Sequence, residues 1–490
     1  MNKVQKEYLN KGMNNVVVKK EVNSKMTPEI TKTESKIDNK KFPSGIEVIS
    51  VGGTGEVGKN MTAVRVDDEV FIFDMGLHMP NYIKFTEEDV SDLSKMNVEA
   101  LRKAGAIPDD NSIKQWRPFV KGIFIGHAHL DHIGAVPFLA KNYAAPIVAS
   151  PYTIALLRNI LADEKIQLKN KLTPLSPNGI MKITKNVMVE FIHITHSIPQ
   201  SVMVALHTKY GIILYATDFK FDNQPVLGKP PAYDALKKLG DKGVLLTICD
   251  TLYVTKPGKM PSEMIAREML RDAILGVNNK GHAIVITTFA SHIARLKSIL
   301  EFSKQTKRSI VFLGRSLSKY TQAADDADIL HFAKQGVDIV KYGKQAKRKL
   351  AEIMKKGKDK YVLVVTGNQG EPQSMLSKMT TGKFDFHFDD GDHVLFSSSV
   401  IPVEPNLTYR KTIDKQLESQ GVRLFTDLHV SGHAAREDIR EFLKLVRPQH
   451  VIPTHSEPHK VASFMQLWAE IGAVPNQAHL LKPGQHLKLI

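Results

Sequence analysis

Short apolar runs separated by turn residues dominate the first part of the chain, up to about residue 220. Runs of this length are typical of β-strands. The pattern predicts strands at Ile46–Val51, Thr62–Val66, Val70–Phe73, Gly122–Ile125, Val187–Ile194, Ser201–His207 and Gly211–Ala216. The segment Tyr82–Trp116 is mixed and polar, and we interpret it as a long insertion between strands.

After about Phe221 the pattern changes to an alternation of strands and helices. Strands are predicted at Val244–Cys249, Ala283–Thr287, Ile310–Leu313 and Tyr361–Val365, and helices from Ser262, from Ser291, and near Ser318–Lys334 and Ala346–Lys356. This alternation indicates a parallel sheet with right-handed crossovers. Beyond about Asp392 the pattern predicts strands at His393–Phe396, Val422–Leu428, His450–Ile452 and His486–Ile490, and helices near Arg436–Leu445 and Pro458–Ile471.

Length and composition narrow the class of protein. A chain of 490 residues is too long for one ordinary core, so two or three domains are expected. The single cysteine, Cys249, excludes a disulfide framework and a cysteine-based zinc site. The sequence has no apolar run long enough to span a bilayer and no secretory signal, so we expect a cytoplasmic protein without a membrane partner.

The net charge points towards a polyanionic partner. The chain carries a formal charge of +16, and residues 1–44 hold ten Lys against five acids, a net +5. That segment has few aromatic residues and no clear periodicity, and we predict a basic, disordered N-terminal tail. A charge of this size favours nucleic acid as a partner, although a basic protein without such a partner is the alternative.

The densest chemical feature is the sequence His127-Ala128-His129-Leu130-Asp131-His132, which has the pattern H-x-H-x-D-H. It lies between the predicted strand Gly122–Ile125 and a helix predicted to begin near Ile133. Imidazole and carboxylate ligands together suit zinc or manganese. The first two histidines can hold one ion, while Asp131 and His132 reach a second. A surface loop rich in His and Asp is the alternative, and the position between two elements favours the metal site.

Other candidate ligands lie singly at or just beyond the ends of apolar strands: Asp74, His196, Asp218 and His455. Two adjacent ions need several further ligands and a bridging carboxylate, which these residues can supply. Asp74 is a candidate for orienting a metal-bound histidine, with an ordinary turn aspartate as the alternative.

Three segments rich in glycine or serine are further candidates for a functional role. The sequence Gly53–Gly58 matches the dinucleotide signature G-x-G-x-x-G, but that signature needs a helix directly afterwards, and Thr62–Val66 alternates like a strand. We therefore predict a tight turn near the metal site. Leu428–Ala434 joins a strand to a helix, whose peptide N–H groups suit a phosphate, and Ser397–Ser399 offers hydroxyls; local capping is the alternative for both.

Taken together, these motifs resemble the RNase J family, in the β-CASP group of metallo-β-lactamase-fold nucleases. The resemblance covers about Gly45 to Ile490, and its most specific marks are Gly52–Met61, His196–Pro199, Thr288–Ser291, Gly370–Pro372 and His429–Ala434. It implies an α/β fold, a four-layer αβ/βα sandwich (45–225 and 397–490) with an inserted β-CASP domain (226–396). Because bacterial members usually carry a further C-terminal domain, we expect this chain to correspond to the shorter archaeal form.

The resemblance also implies a role for each candidate residue. His127, His129 and His196 hold one zinc, Asp131, His132 and His455 hold the other, and Asp218 bridges them. Asp74 and Asp250 orient neighbouring ligands. RNA or its phosphate is expected to contact Ser399, His429, Ser431, Gly432, His433 and Ala434. Apart from the resemblance, the basic residues Lys220, Arg295, Arg315 and Lys319 are candidates for following the RNA backbone, with solvated surface charges as the alternative.

The implied activity is processive 5′→3′ hydrolysis of single-stranded RNA with a 5′-monophosphate, by a homodimer holding two Zn²⁺ per subunit, with Mn²⁺ as the alternative. Asp131 or Asp218 accepts a proton, and His433 donates one or binds the scissile phosphate. The segment Ser397–Glu404 departs from the bacterial S-x-I-P-G-N-E pattern, which bears on 5′-end recognition. The alternatives are a β-CASP endoribonuclease, a small-molecule hydrolase of this fold and a non-catalytic RNA-binding subunit; the occupied ligand positions disfavour the last.

Overall fold

Two β-sheets lie face to face at the centre of the structure, a computed structural model that describes residues 42–89 and 97–490. The first sheet has the order β19-β1-β2-β3-β4-β5-β6. Its strands are β1 (Ile46–Gly52), β2 (Met61–Val66), β3 (Glu69–Phe73), β4 (Val120–Ile125), β5 (Ile147–Ala149), β6 (Leu172–Pro174) and β19 (His486–Lys488). From β3 to β6 the strands are parallel, so their carboxyl ends share one edge.

The second sheet has the order β18-β11-β10-β9-β8-β7. Its strands are β7 (Ile180–Lys182), β8 (Met188–His193), β9 (Val202–Thr208), β10 (Gly211–Ala216), β11 (Val244–Asp250) and β18 (His450–Thr454). Strands β10, β11 and β18 are parallel. Apolar side chains of both sheets, among them Phe73, Phe124 and Tyr215, form the core between them.

Helices cover the outer faces of both sheets. The first sheet is covered by α1 (Met79–Asp89), α2 (Val98–Lys103), α3 (Leu130–Ile133), α4 (Val136–Leu139) and α5 (Pro151–Asp163). The second is covered by α6 (Tyr233–Lys242), α13 (Arg436–Val446) and α14 (Val461–Glu470). The predicted four-layer sandwich is confirmed.

A third sheet, entirely parallel, is inserted between β11 and β18 and has the order β14-β13-β15-β12-β16-β17. Its strands are β12 (Ile284–Thr287), β13 (Ser309–Leu313), β14 (Val337–Val340), β15 (Tyr361–Val365), β16 (His393–Phe396) and β17 (Arg423–Phe425). One face packs against α7 (Glu263–Leu275), α8 (Ile293–Gln305) and α9 (Arg315–Asp326), and the other against α10 (Gly343–Lys356), α11 (Met375–Thr380) and α12 (Asn406–Glu418).

Short 3-10 turns complete the described elements, at Asp110–Phe119, Ala140–Asn142, Ala333–Gln335, Lys358–Lys360, Pro458–Lys460 and Pro475–Gln477. The polar stretch that we interpreted as an insertion contains α2 and most of both α1 and the first 3-10 segment, and residues 90–96 of it lie outside the described ranges. In the described part of the chain, no helix is both long and apolar enough to cross a bilayer.

The structural boundaries of the third-sheet domain differ from the predicted 226–396. Helix α6 and strand β11 pack with the second sheet, whereas α12 and β17 pack with the third, so the domain extends from about Glu263 to Phe425. The change of pattern near residue 221 marks the end of the strand-rich stretch, because α6 already covers β10 and β11.

Residues 1–41 of the predicted tail lie outside the described ranges, whereas Phe42 belongs to the folded part. Its ring packs edge-on against Phe119 with centroids 5.0 Å apart, and the Arg65 guanidinium lies 5.2 Å from the ring centroid.

Candidate metal centre

Three histidines from two sheets converge at the carboxyl edge of β4. His127 and His129 follow β4, and His196 follows β8. His129 Nδ1 lies 3.1 Å from His127 Nε2 and 3.1 Å from His196 Nε2. Three ring nitrogens therefore point at a common centre, as three ligands of one ion would.

A second group lies on the other side of Asp218. Asp131 and His132 are in α3, His455 follows β18, and Asp218 follows β10. Asp218 Oδ2 lies 3.1 Å from His132 Nε2 and 3.4 Å from His127 Nε2. Because this one carboxylate reaches both groups, its position is that of a bridge between two ions.

Left-handed backbone sets the direction of three side chains of the site, two at the centre and one behind it. Asp74, Asp218 and His455 each follow a strand and have φ of +58°, +51° and +56°. Positive φ is uncommon outside glycine, with Asp and His among the residues that tolerate it best. The sharp turn brings each side chain out of its strand into the cleft.

The turn that carries the first four ligand candidates is fixed by backbone hydrogen bonds. Met75 N donates to His132 O at 2.8 Å, and Asn60 N donates to Asp131 O at 3.1 Å. A Cβ on Gly76 would stand 1.6 Å from Asp131 O, so only glycine fits there. The segment Gly53–Gly58, predicted as a tight turn near the metal site, is a run of bends with three glycines at positive φ, and it lies beside the site, since the Gly53 carbonyl accepts a 2.6 Å hydrogen bond from His455 N.

Asp74 holds His132 in place from below the site. Its Oδ2 accepts hydrogen bonds from His132 Nδ1 at 2.6 Å and from Tyr215 Oη at 2.7 Å, while Oδ1 accepts one from Gly126 N at 2.9 Å. Protonating His132 at Nδ1 leaves Nε2 free to face Asp218. This orienting geometry matches the one expected for a carboxylate behind a metal-bound histidine.

Burial and neighbouring charges set the protonation of the site. Burial, followed by the adjacent imidazoles, lowers the pKa of His127, His129 and His196 well below the ordinary value, so these rings are neutral, the form that binds metals. Burial opposes ionisation of Asp218, but the histidines around it, His132 first, hold its pKa well below the ordinary value. Neutral imidazoles therefore face an ionised carboxylate.

The donor set fits a pair of divalent cations. In each group the ligand atoms lie within 4.8 Å of one another, and Asp218 Oδ1 is buried without a hydrogen-bond partner. Zinc–nitrogen bonds of about 2.0–2.1 Å place two tetrahedral ligands about 3.3 Å apart, close to the nitrogen separations given above. His, Asp and a shared carboxylate are ligands that zinc and manganese accept.

His433 lies over the centre and is held by Asp250 at the end of β11. His433 Nδ1 donates to Asp250 Oδ2 at 2.8 Å, and its ring stacks on His455 with centroids 5.3 Å apart. Burial would lower its pKa, but Asp218 and Asp250 outweigh burial and raise it to about 9. His433 Nε2, at 3.9 Å from Asp218 Oδ2, is therefore a proton donor facing the centre.

The segment from His429 to Ala434 contributes differently at each position. Gly432 O accepts a hydrogen bond from His196 Nδ1 at 2.7 Å, and a Cβ at Gly432 would collide with the Ser197 backbone. The Ser431 hydroxyl accepts from His433 N at 3.2 Å. Ala434 packs its methyl into the core of the second sheet, which leaves only its backbone for a ligand.

His429 and Ser399 lie away from the metal ligands. The His429 ring packs edge-on against Phe289, with centroids 6.0 Å apart, and its Nδ1 is buried without a partner. Burial, with the charge of Arg295, lowers the pKa of His429 to about 3, so it is neutral. Ser399 is half-buried, and its carbonyl accepts from Gln369 Nε2 at 3.0 Å. Contact of both residues with RNA stays a prediction.

Two of the four cations predicted to follow the RNA backbone are instead buried structural groups. Arg295 is fully buried and bidentate to Glu263, with its Nε 2.6 Å from Oε1. Lys220 donates to Pro261 O at 3.0 Å and to Ser431 O at 3.2 Å. Both predictions are corrected. Lys319 pairs with Asp163 at 3.2 Å, whereas Arg315 is exposed.

Sequence reasoning assigned no role to two residues that contact the ligand histidines or their carboxylate. Asn60 Nδ2 lies 3.0 Å from His132 Nε2 and 3.0 Å from His455 Nδ1. Tyr215 donates to Asp74 from inside β10. Asn60 stood within the Gly52–Met61 mark, which was a usable signal. Tyr215 lies in a run of apolar residues in the buried strand β10, so the sequence offered no signal of its role.

Comparison with known proteins identifies the class. Residues 54–274 match the family described as "Metallo-beta-lactamase superfamily", residues 281–415 match "Ribonuclease J, beta-CASP domain", and residues 422–479 match "Zn-dependent metallo-hydrolase RNA specificity domain". A solved structure titled as a protein of unknown function from Enterococcus faecalis V583 aligns with a TM-score of 0.58 at 16% identity, over 91% of this chain and 100% of that one. Fold and site thus define a β-CASP nuclease of the metallo-β-lactamase superfamily.

Relatives give the particular family. Ribonuclease J of Methanocaldococcus jannaschii is 43% identical over 446 residues, 90% of this chain and 98% of that protein. Ribonuclease J of Pyrococcus abyssi is 39% identical (90% and 96% covered), and Ribonuclease J 2 of Staphylococcus epidermidis 30% (91% and 75%). The chain belongs to the ribonuclease J family, as its motifs indicated, and is a metal-dependent ribonuclease that binds RNA.

Proposed function

We propose that the protein degrades single-stranded RNA processively from the 5′ end, with a preference for a 5′-monophosphate, at a centre of two metal ions. The observation that carries this proposal is the pair of ligand groups that share Asp218, His127–His129–His196 on one side and Asp131–His132–His455 on the other. A shared carboxylate between two such groups supports two adjacent ions, the arrangement that suits hydrolysis of a phosphodiester.

The chemistry divides between the metals and the side chains. When bound, two divalent cations lower the pKa of a water between them and neutralise charge on the phosphoryl oxygens. Asp218 and Asp131 line that position as acceptors for the proton of the attacking water. Asp250 holds the His433 ring through Nδ1, so that, when the ring is protonated, its Nε2 can donate to a phosphate oxygen or to the leaving oxygen.

The direction of hydrolysis is tested with one RNA labelled at its 5′ or 3′ end and incubated with metal-loaded protein. We expect mononucleotide from the 5′ label at the earliest times, and a 3′-labelled molecule that shortens without discrete intermediates. A 5′-hydroxyl RNA should react more slowly than the 5′-monophosphate RNA. Discrete internal fragments from both labels would instead identify an endoribonuclease, and cleavage of a small ester without RNA cleavage a small-molecule hydrolase.

The metal centre is tested by the double substitution H129A/D131A, which removes one ligand from each group. We expect the variant to lose RNA cleavage and to bind RNA with an affinity close to that of the unsubstituted protein. Metal analysis of both proteins should show that the variant has lost bound cation. Full cleavage activity in the variant would exclude a two-metal centre at these residues.

The remaining details follow the family resemblance. We propose two Zn²⁺ per subunit, with Mn²⁺ as the alternative, a homodimer, and action in the cytoplasm on RNA maturation and decay. Metal analysis of protein purified without added metal, together with the mass in solution by light scattering, checks the first two. One bound cation per chain, or a monomer at working concentration, would correct them.

A further inference from the structure

Helix α10, on the outer face of the third sheet, presents a row of unpaired cations to solvent. Its buried side consists of Ala346, Leu350 and Ile353, which pack against the third sheet. On the opposite side, four exposed cations form what we call the α10 stripe: Lys344, Lys347, Arg348 and Lys355. Because successive helical residues turn by about 100°, the four positions fall within about 100° of arc, along roughly 16 Å of helix.

The acids near this helix are used elsewhere. Glu352 and Asp338 pair with the flanking lysines, as Lys356 Nζ lies 2.7 Å from Glu352 and Lys349 Nζ 2.8 Å from Asp338. Within residues 42–89 and 97–490, the four side chains of the stripe have no ion pair or hydrogen bond. The stripe is thus a surface of uncompensated positive charge.

The spacing of the stripe disfavours the helix that carries it. Lys344 is three residues before Lys347 and four before Arg348, and like charges at these spacings destabilise a helix by about 0.2–0.5 kcal/mol per pair. On a solvated helix face that binds no ligand, acids at the same spacing usually offset the repulsion between the cations. Local arrangements that oppose folding are expected at functional sites, so the charge repulsion in the stripe favours a role in binding.

The stripe begins at the carboxyl edge of the third sheet, the edge at which the segment leading to His433 contacts this domain. Helix α10 follows β14, and all strands of this sheet are parallel, so α10 starts at the carboxyl edge. Ser397, after β16 at the same edge, donates to Leu428 O, next to His429. Four strand spacings of about 4.8 Å separate β14 from β16, so the stripe starts roughly 19 Å from that contact.

We propose that the α10 stripe, together with Tyr342, binds the backbone of single-stranded RNA that extends beyond the catalytic cleft. Tyr342 directly precedes α10 and is 54% exposed, a position suited to stacking a base, while the four cations face phosphates. The stripe offers no apolar side chain for a membrane or protein partner. This inference rests on the proposed function, because the RNA it binds is the substrate of the same site.

The test compares two sets of four Lys/Arg→Gln substitutions with equal loss of charge. The stripe variant is K344Q/K347Q/R348Q/K355Q. The control is K114Q/K121Q/K169Q/K171Q, whose lysines are equally exposed and lack ion pairs in the described part of the chain. Gln has nearly the helix propensity of Lys and Arg, so both variants should fold. Binding is measured in the H129A/D131A background, so that the RNA is not degraded. If the unsubstituted protein does not cleave RNA, binding is measured in that protein.

We expect the stripe variant to bind RNA of about 30 nucleotides at least tenfold more weakly at low salt, with unchanged affinity for RNA of about 5 nucleotides. The slope of log K against log salt should become shallower by about 3, at roughly 0.7 per phosphate contact on a single strand. Y342A should weaken binding of the long RNA about fivefold or more.

A stripe variant with the same salt slope as the control set overturns the proposal, and so does an equal loss of affinity for both RNA lengths. An unchanged affinity in Y342A overturns the stacking role of that ring. The proposed function is tested separately by the cleavage products of end-labelled RNA, and discrete internal fragments from both labels would contradict it. The slope comparison needs no cleavage and therefore decides the role of the stripe in either case.

Discussion

At the residue scale, the ligands of the centre are set by backbone conformation as much as by side-chain identity. Asp74, Asp218 and His455 share a left-handed φ directly beyond or close to a strand end. Such conformations cost on the order of 1–3 kcal/mol and persist where the surrounding structure enforces them. Here the enforcing contacts are hydrogen bonds, for example Asp74 N to Phe124 O at 2.9 Å. The strained turns thus aim the side chains of Asp218 and His455 at the centre and the Asp74 carboxylate at His132.

His433 is predicted to act on the reaction rather than on the metals. Replacing it by Ala should lower kcat about 10²- to 10⁴-fold, because it removes a positioned proton donor. KM and bound metal should stay close to those of the unsubstituted enzyme, because His433 Nδ1 is bonded to Asp250 and its Nε2 lies 3.9 Å from Asp218, farther than His127 or His132. Steady-state kinetics on a short RNA, with metal analysis of the same sample, checks this.

The matched change is Asp250→Asn, which keeps the shape of the residue but weakens its bond to His433 Nδ1. This variant should lower kcat in the same direction and by a smaller factor. The role of His433 would be contradicted by an H433A enzyme that retains its kcat, or by one that loses its metal.

At the scale of elements, one buried arginine joins the third-sheet domain to the loop beside the metal centre. Arg295, in α8, binds Glu263 at the start of α7 through two hydrogen bonds. Its Nη1 also donates to Ser397 O at 2.8 Å and to Leu428 O at 3.0 Å. Leu428 directly precedes His429, so this network fixes where the segment leading to His433 leaves the domain.

Removing one partner of this buried pair should destabilise the protein more than removing both. E263Q leaves the Arg295 charge without its carboxylate, and we expect a loss of about 3–5 kcal/mol in the free energy of unfolding. The double variant E263M/R295M should lose less, because neither charge remains buried. Denaturant unfolding at neutral pH checks the order; equal losses in both variants would contradict the argument.

The same pair predicts acid sensitivity. Burial opposes the ionised form of Glu263, but His292 and Arg295 outweigh it and hold the pKa of Glu263 below its ordinary value. The stabilisation is therefore present above the unfolded pKa, about 4.3, and is lost as pH falls below it. The double variant lacks this contribution, so its free energy of unfolding should fall less as pH drops from 6 to 3, an interval in which the loss has begun and is still growing towards the lowered pKa.

The sequence pattern predicted the elements whose periodicity is unambiguous. It missed helices that are buried on two sides and helices that bury only a few residues. Helix α5 is apolar almost throughout, because it packs against both the first sheet and α9, and so it lacks a polar face. Helix α12 buries only Arg410, Ile413 and Leu417, too few to give a pattern. The helix predicted near Ser318–Lys334 ends at Asp326, since Asp328 turns left-handed.

The candidate site followed the same rule. His127, His129, Asp131 and His132 could be recognised because four ligand types crowd one junction. Arg295 and Lys220 could not be interpreted correctly from sequence, because an exposed and a buried cation look alike until the partners, Glu263 or Ser431 O, are brought from elsewhere in the chain. Long-range partners are a property of the fold, not of the local pattern.

At the scale of the whole molecule, the positive charge falls into separate groups with different roles. Part of it is internal, as at Arg295 and Lys220, and is matched by carboxylates and carbonyls. Part of it is the exposed α10 stripe. A further +5 of the total +16 lies in residues 1–41, which hold all ten lysines of the N-terminal segment. Only the exposed groups can contribute to RNA affinity that depends on salt.

The N-terminal segment should add to RNA affinity through charge alone. A deletion that ends at Lys41 spares Phe42, whose packing on Phe119 would otherwise be lost. We expect the truncated protein to bind RNA more weakly at low salt, with a salt slope shallower by at most about 3–4, at roughly 0.7 per released phosphate contact. At high salt both proteins should bind alike, since screening removes the contribution. A control with five of the ten lysines changed to Gln makes the segment neutral, which removes the same net charge as the deletion and should reproduce it. An unchanged salt slope would show that these lysines do not meet the RNA, and that the α10 stripe and the cleft account for its electrostatic binding.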